Sequence, residues 1–230
     1  MGSVTNTYLA QTASDDDTSL DDLRVRLAPL VAEAAVFDGW SEAAVHAAAE
    51  QSGVDTDVAD FAFRDGAMAM IAAWTAWVDR GMAEALPAQD LAAMPIRERI
   101  RSLVLARLDA IAGQEEALSR AMAIMAMPQN AARAIKLGWH SADAMWRLAG
   151  DTATDYNHYT KRTILAGVYA ATLAVFADDR SEGKADTRAF LDRRIAGIMR
   201  FEKAKAQLLR PAEQRFSMAR FLGRLRYPAS

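Results

Sequence analysis

An all-α fold is what this sequence predicts, on three observations. From Leu20 almost to the end, apolar residues recur at the i, i+3, i+4, i+7 spacing of a one-sided helix. Ala, Leu, Met, Arg and Glu, all good helix formers, dominate the same region. No segment alternates apolar and polar residues as a half-buried strand would. The chain has 230 residues, and its 52% apolar content is ample for a core in one or two small domains.

Residues 1–19 are polar and include the run Asp15, Asp16, Asp17, the composition of a disordered tail. A first helix is expected over about 20–36, with Leu23, Leu27, Leu30 and Val31 on one face. Pro29 should kink it. FDGW at 37–40 breaks it, and Ser41 can cap a second helix over 42–52. Ser52-Gly53-Val54 makes a tight turn, and Asp55 starts a short helix to about Phe63. A long fourth helix, 65–84, carries Met70, Ile71, Trp74, Trp77 and Val78 on one side. This helix–turn–helix followed by a long helix resembles the start of the tetracycline-repressor fold. The reading is thus 20–84 as a helix–turn–helix-like N-terminal part, 85–208 as a helical part and 209–230 as a terminal amphipathic helix.

Pro87 and Pro95 bracket a linker with one short turn, and Pro95 suits a first helical position. Ile96, Ile100, Leu103, Val104, Leu108 and Ile111 form the next stripe, and Leu118, Ala121, Met122 and Met125 another. Pro128 begins a helix ending at Gly150. Asp155 can cap the following one, where Leu165, Val168, Tyr169 and Phe176 recur with Thr172 between. The loop DDRSEGKAD precedes a helix over about 186–208, which Pro211 ends.

Charge and chemistry narrow the functions. The net charge of −3 divides into −10 over residues 1–63 and +7 over the remainder. The third helix, where a DNA reader would sit, holds Asp55, Asp57, Asp60 and Asp65 against Arg64 alone. Duplex binding depends on Lys and Arg neutralising phosphates, so this face argues against nucleic acid. No cysteine is present, which removes disulfides and thiol catalysis and fits a reducing cytoplasm. His46, His140 and His158 lie in no Glu-x-x-His motif, and Glu42 with His46 reads as a surface pair. There is no phosphate-cradling glycine loop. No catalytic residue, metal or cofactor is expected. No apolar run of about 18 residues and no basic-then-apolar leader is visible.

Eleven Met and five Trp suggest adaptable apolar space. Met70, Trp74, Trp77, Met122, Met125 and Trp139, with Tyr169 of the later helix, form a set suited to an apolar ligand. Plain core packing accounts for the same residues. On the wheel of 128–150, Ile135, Trp139, Ala142, Trp146 and Ala149 cluster as the expected buried side. Met145 then lies about 80° away and Leu148 about 140° away, at roughly 100° per residue. Leu148 beside Met145, His158 and Tyr159 reads as a contact patch or as chance exposure.

In 213–227, Met218, Phe221, Leu222 and Leu225 fall on one helical face, with Arg220 and Arg224 opposite. A terminal, basic, amphipathic helix favours a membrane surface over docking on its own domain or on a partner helix.

FDGW with Ser41, MWRLAGDTATDYNHYTKR at 145–162, VYAATL at 168–173 and DTRAFLDRRI at 186–195 together resemble one family. It is the accessory lipid-binding protein of coenzyme Q (ubiquinone) biosynthesis, the ninth Coq protein. The resemblance runs from about Leu23 to Met199, and GDTATDYNHYTKR is its specific part. It implies a tetracycline-repressor fold without DNA binding, an isoprenoid lipid or quinone ligand and a membrane-touching C-terminal helix. It also implies demethoxyubiquinone hydroxylase as partner. Carried over, the partner surface falls on Met145, Trp146, Leu148, His158 and Tyr159; the family usually has Trp where this chain has His158. A homodimer is compatible with it. The expected place is the cytoplasmic face of the inner membrane in a bacterium, or the matrix side of the mitochondrial inner membrane in a eukaryote. The alternative is a transcriptional regulator of the same fold that responds to an apolar ligand.

The tail assignment predicts that the full chain floats with anionic liposomes and that a chain lacking 211–230 does not. Equal flotation of the two would remove it.

Overall fold

The computed structural model describes residues 19–152 and 156–208. Ten α-helices, and no strand, are found among them. The chain divides after Leu191, with 192–230 as a second unit. The described part of that unit, 192–208, is helix. The expected tail at 1–18, the capping residue Asp155 and the amphipathic segment with Met218, Arg220, Phe221, Leu222, Arg224 and Leu225 lie outside the described residues.

Helix α1, Leu20–Asp38, starts where Ser19 Oγ accepts the Asp22 amide at 3.1 Å. Its Leu23, Leu27 and Val31 face is buried, each side chain contributing about 1.5–3 kcal/mol on burial. The helix continues through Pro29, the expected kink position, although proline supplies no amide to the preceding turn. Gly39, at φ 69°, ends it in a conformation that a side chain would strain. Trp40 then turns inward. Its Nε1 donates to the Ala117 carbonyl at 2.9 Å, and its ring lies 5.3 Å from that of Trp74.

Helix α2, Glu42–Ser52, begins one residue after Ser41 as expected, but the Ser41 hydroxyl donates backward to the Asp38 carbonyl and makes no cap bond. Gly53 closes α2 in the left-handed region. Asp55 Oδ1 accepts the amides of Asp57 and Val58 to start α3, Thr56–Phe63. His46 pairs with Asp60 across the two helices at 2.9 Å, not chiefly with Glu42 as its spacing suggested. The hydrogen bond and charge of Asp60 raise the His46 pKa.

Helix α4, Ala67–Ala85, packs on α1 and on the later helices. After the single turn α5, Ala88–Ala92, come α6, Ile96–Ala110, and α7, Glu115–Met125. Pro95 precedes α6 as its cap. A short 3₁₀ turn at Pro128–Asn130 leads into α8, Ala131–Leu148. Helix α9, Tyr156–Asp178, returns along α8, and α10, Ala185–Leu208, follows.

The α9–α10 turn is organised by one carboxylate. Asp179 is buried, and its Oδ1 accepts from the Ser181 amide and hydroxyl at 2.8 and 2.5 Å. Its Oδ2 accepts from the Thr187 amide and hydroxyl at 2.8 and 2.6 Å. Burial alone would raise its pKa, but these four donors hold it far below the usual carboxylate range. Its contribution is therefore present above the unfolded-state value of about 3.9 and is lost as pH falls through the lower folded value. Asp179→Asn turns an amide donor toward existing donors, so it should cost about 2–3 kcal/mol in urea unfolding at pH 7. The gap from wild type should narrow as pH falls below about 3.9; a gap that does not change with pH would show that the charge is not what matters.

Candidate functional site

Helices α4, α6, α7, α8 and α9 surround a cavity of about 310 Å³. This is at the lower end of the range of about 300–1,000 Å³ for small-molecule pockets. Its α4 wall is Ile71, Trp74, Thr75 and Val78, one face at helical spacing. Helix α7 supplies Leu118, Met122 and Met125, and α9 supplies Ala166, Tyr169, Ala170 and Leu173. The α8 wall is small, with Ala134, Gly138 and Ser141 beside Leu137. Small residues on that helix leave the space that the bulkier walls enclose.

Trp74, Met122, Met125 and Tyr169 line the cavity as expected of an apolar-ligand site. Met70, Trp77 and Trp139, expected with them, do not. Met70 and Trp77 sit about 90–110° around α4 from its cavity face, at roughly 100° per residue. Met70 is buried elsewhere in the core and Trp77 is half-buried. Trp139 lies on the far side of α8, about 150° from the cavity face.

Of the expected inward face of α8, Ala142 and Ala149 are buried as expected, while Trp139 and Trp146 are half-buried. Ile135, assigned to the buried side, is 73% exposed. Met145, assigned to the partner surface, is fully buried and cannot be a contact residue of that surface. Leu148 is half-buried, not outward. On the outer side, Trp139, His158 and Tyr159 form an aromatic cluster. Ring centroids are 5.9 Å apart for Trp139–Tyr159, 6.4 Å for Trp139–His158 and 5.2 Å for His158–Tyr159. Tyr159 is 61% exposed. Trp146 is half-buried, donates Nε1 to the Lys161 carbonyl at 3.1 Å and lies 5.3 Å from the Lys161 ammonium. His158 and Tyr159 therefore come together with Trp139, which the sequence placed inside, while Trp146 contacts Lys161.

An ionic tie holds this surface to the cavity wall. Gly150, at φ 86°, ends α8, and a Cβ there would meet Arg99 Nη1 at 3.2 Å. Arg99 Nη1 in turn donates to the Ala149 carbonyl at 2.7 Å. Asp151 then accepts Lys161 Nζ at 2.7 Å and Arg162 Nη1 at 3.0 Å. The buried Arg162 also donates Nε to Asp143 at 2.5 Å and Nη1 to the His158 carbonyl at 3.2 Å. Burial would raise the Asp151 pKa, but the hydrogen bonds from Lys161 and Arg162 pull it below normal. Asp151, Lys161 and Arg162 thus form one local ion-paired group.

Sequence reasoning missed the polar wall of the cavity. Arg107 is 1% exposed, donates Nη1 to Asp79 and Nη2 to Ser141 Oγ at 3.1 Å, and lies 4.8 Å over the Tyr169 ring. The available signal was an arginine four residues from Leu103 and Ile111 on a buried stripe. Among the described residues, no group of three or more His, Cys, Asp or Glu could hold a metal ion. None of the described helices is long and apolar enough to cross a membrane.

The COQ9 family model matches residues 131–202, which hold α8, α9 and most of α10. The chain is similar to "Ubiquinone biosynthesis protein COQ9, mitochondrial" of Rattus norvegicus, 29% identical over 191 residues, covering 80% of this chain and 61% of that protein. The Homo sapiens protein of the same name is 28% identical over 191 residues, with coverages of 80% and 60%. COQ9-B of Xenopus laevis is 27% identical over 207 residues, covering 87% and 70%. The chain thus spans about 60% of the length of the first two of these relatives. A TetR transcriptional regulator from Nitrosomonas europaea superposes with a TM-score of 0.61 at 20% identity, covering 76% of this chain and 96% of its own. That likeness shows the fold alone. The tetracycline-repressor-like fold and the similarity to the COQ9 family both stand.

Proposed function

We propose that this chain is a non-catalytic, lipid-binding accessory factor of ubiquinone biosynthesis. The observation that carries the reading is the apolar cavity, two of whose walls, α8 and α9, lie within the COQ9 match. An isoprenoid tail gains about 0.8 kcal/mol per buried CH₂-sized unit in such a space, so even a partly enclosed tail binds well. A cavity of about 310 Å³ takes one end of a long polyprenyl quinone intermediate and leaves the remainder outside.

The same hairpin offers a docking face. Trp139, Trp146, His158 and Tyr159 present aromatic surface on the side of α8 away from the cavity. Aromatic clusters of this kind are enriched among residues that dominate protein interfaces. We assign this face to demethoxyubiquinone hydroxylase. The basic segment 211–230 then holds the complex at the bilayer, so that lipid passes from membrane to cavity to enzyme. The regulator alternative finds no support in α3 and its ends, where Asp57 within the helix and Asp55 and Asp65 flanking it are exposed.

Co-purification with the hydroxylase tests the docking face. Tyr159→Ala with Trp139→Ala should weaken capture by about tenfold or more, as truncating interface aromatics does. Leu148→Ala should have a smaller effect, because Leu148 is half-buried. Undiminished capture of the aromatic double variant would reject the surface.

A further inference from the structure

The helix–turn–helix of α2 and α3 carries a surface that neither the cavity nor the aromatic face uses. In a DNA reader the second helix of such a motif enters the major groove. Here α3 packs on α1, α2 and α4 and buries Ala59, Ala62 and Phe63. Phe61, 53% exposed, lies near the centre of its outward face, and Val58, 46% exposed, lies beside it. One exposed apolar side chain is ordinary; two side by side on a fixed helix are the start of a contact patch.

The helix under them is held at both ends. Asp55 caps its first turn, and Arg24 of α1 donates Nε to the Ala62 carbonyl in its last turn at 2.6 Å. His46 of α2 pairs with Asp60 at 2.9 Å. The Arg64 guanidinium lies 5.0 Å from the centroid of the Phe61 ring and restricts where that ring can turn. An aromatic side chain fixed in this way loses little freedom on binding, as an interface anchor requires.

Charge selects the partner. Asp57 shares the outward face, Asp55 and Asp65 flank the helix, and all three are exposed. Helix α2 adds exposed Glu42 and Glu50 and contains no Lys or Arg. Between Arg26 and Arg80, Arg64 is the only basic residue other than His46. Nucleic acid and an anionic bilayer are both repelled by such a face. A second copy that met it through the same patch would set Asp against Asp. A cationic protein segment is attracted to it.

We infer that Val58 and Phe61, ringed by Asp55, Asp57 and Asp65, form a docking surface for a basic helical segment of another protein. That segment sets aliphatic or aromatic side chains among its lysines and arginines. The surface shares no residue with the cavity or the aromatic face and stands whether or not the cavity holds lipid.

Fluorescence anisotropy on the full chain tests this with three labelled peptides of about 15 residues, long enough to form a helix. One carries Leu and Lys at helical spacing, one has Gln in place of its Leu, and one has Glu in place of its Lys. Hydrogen exchange locates the binding. The Leu–Lys peptide should bind about tenfold or more tighter than either control and should slow amide exchange in α3. Phe61→Ser with Val58→Ser should weaken it by about tenfold or more. Asp57→Asn with Asp65→Asn should weaken it by about threefold or more and reduce its sensitivity to salt. All four positions are exposed, so the melting curves should match wild type. Undiminished binding by the Phe61 and Val58 variant overturns the proposal. Equal binding of the Leu–Lys and Gln–Lys peptides, binding of none of the three, or protection confined to another segment also overturns it. Retention of duplex DNA, or a changed oligomeric state in the Phe61 and Val58 variant, would give the face to nucleic acid or to a second copy instead. The wild-type peptide comparison and exchange map hold even if a variant fails to fold.

Discussion

The α8–α9 hairpin depends on a buried cation. Arg162 is almost wholly out of water and is held by Asp143 from α8 and by Asp151 from the turn after it. A buried guanidinium without those carboxylates would be very costly, so the hairpin closes only in the register that supplies them. Lys161 shares Asp151 and covers the Trp146 ring, which extends the same tie to the surface. Removing either carboxylate would release the cavity wall and the aromatic face together, because both are set by one hairpin.

Helix α8 therefore serves two sides. Toward the core it shows small residues, Ala134, Gly138 and Ser141, which leave room beside Trp74, Met122 and Tyr169. Toward the outside it shows Trp139 and Trp146, which meet His158 and Lys161 of α9. At the cavity, Arg107 supplies the single cation, neutralised by Asp79 and stacked on Tyr169. This division puts the cavity wall and the aromatic surface on opposite sides of one helix.

The helices were legible in the sequence because their signals are local. Asp55 capping α3, Gly53 closing α2 and the Leu23, Leu27, Val31 stripe of α1 all follow from spacing and backbone preference. The orientation of α8 was not legible, for a physical reason. A hydrophobic wheel turns the bulkiest apolar residues inward, yet the wall of an open cavity needs small ones. Ile135 and Trp139 were drawn inward by that rule and Met145 outward, and each lies the other way. Arg107 was passed over because a buried arginine is rare without partners, and its partners Asp79 and Ser141 are 28 and 34 residues away in the chain. The aromatic surface was legible only in part: His158 and Tyr159 stood out through the GDTATDYNHYTKR run, while Trp139 was assigned to the core.

In the function proposed above, the cavity between α4 and α9 holds the hydrocarbon of an isoprenoid. Gly138 lines it, and a side chain added there meets nothing within 4 Å. Gly138→Leu together with Ala134→Leu would fill that space with residues that also favour helix. Native mass spectrometry of the purified full chain, wild type and double variant, reads the bound lipid directly. Isoprenoid is expected on the wild type and is expected to be lost from a folded variant. Equal lipid on both proteins, or none on the wild type after incubation with quinone-containing vesicles, would contradict that function.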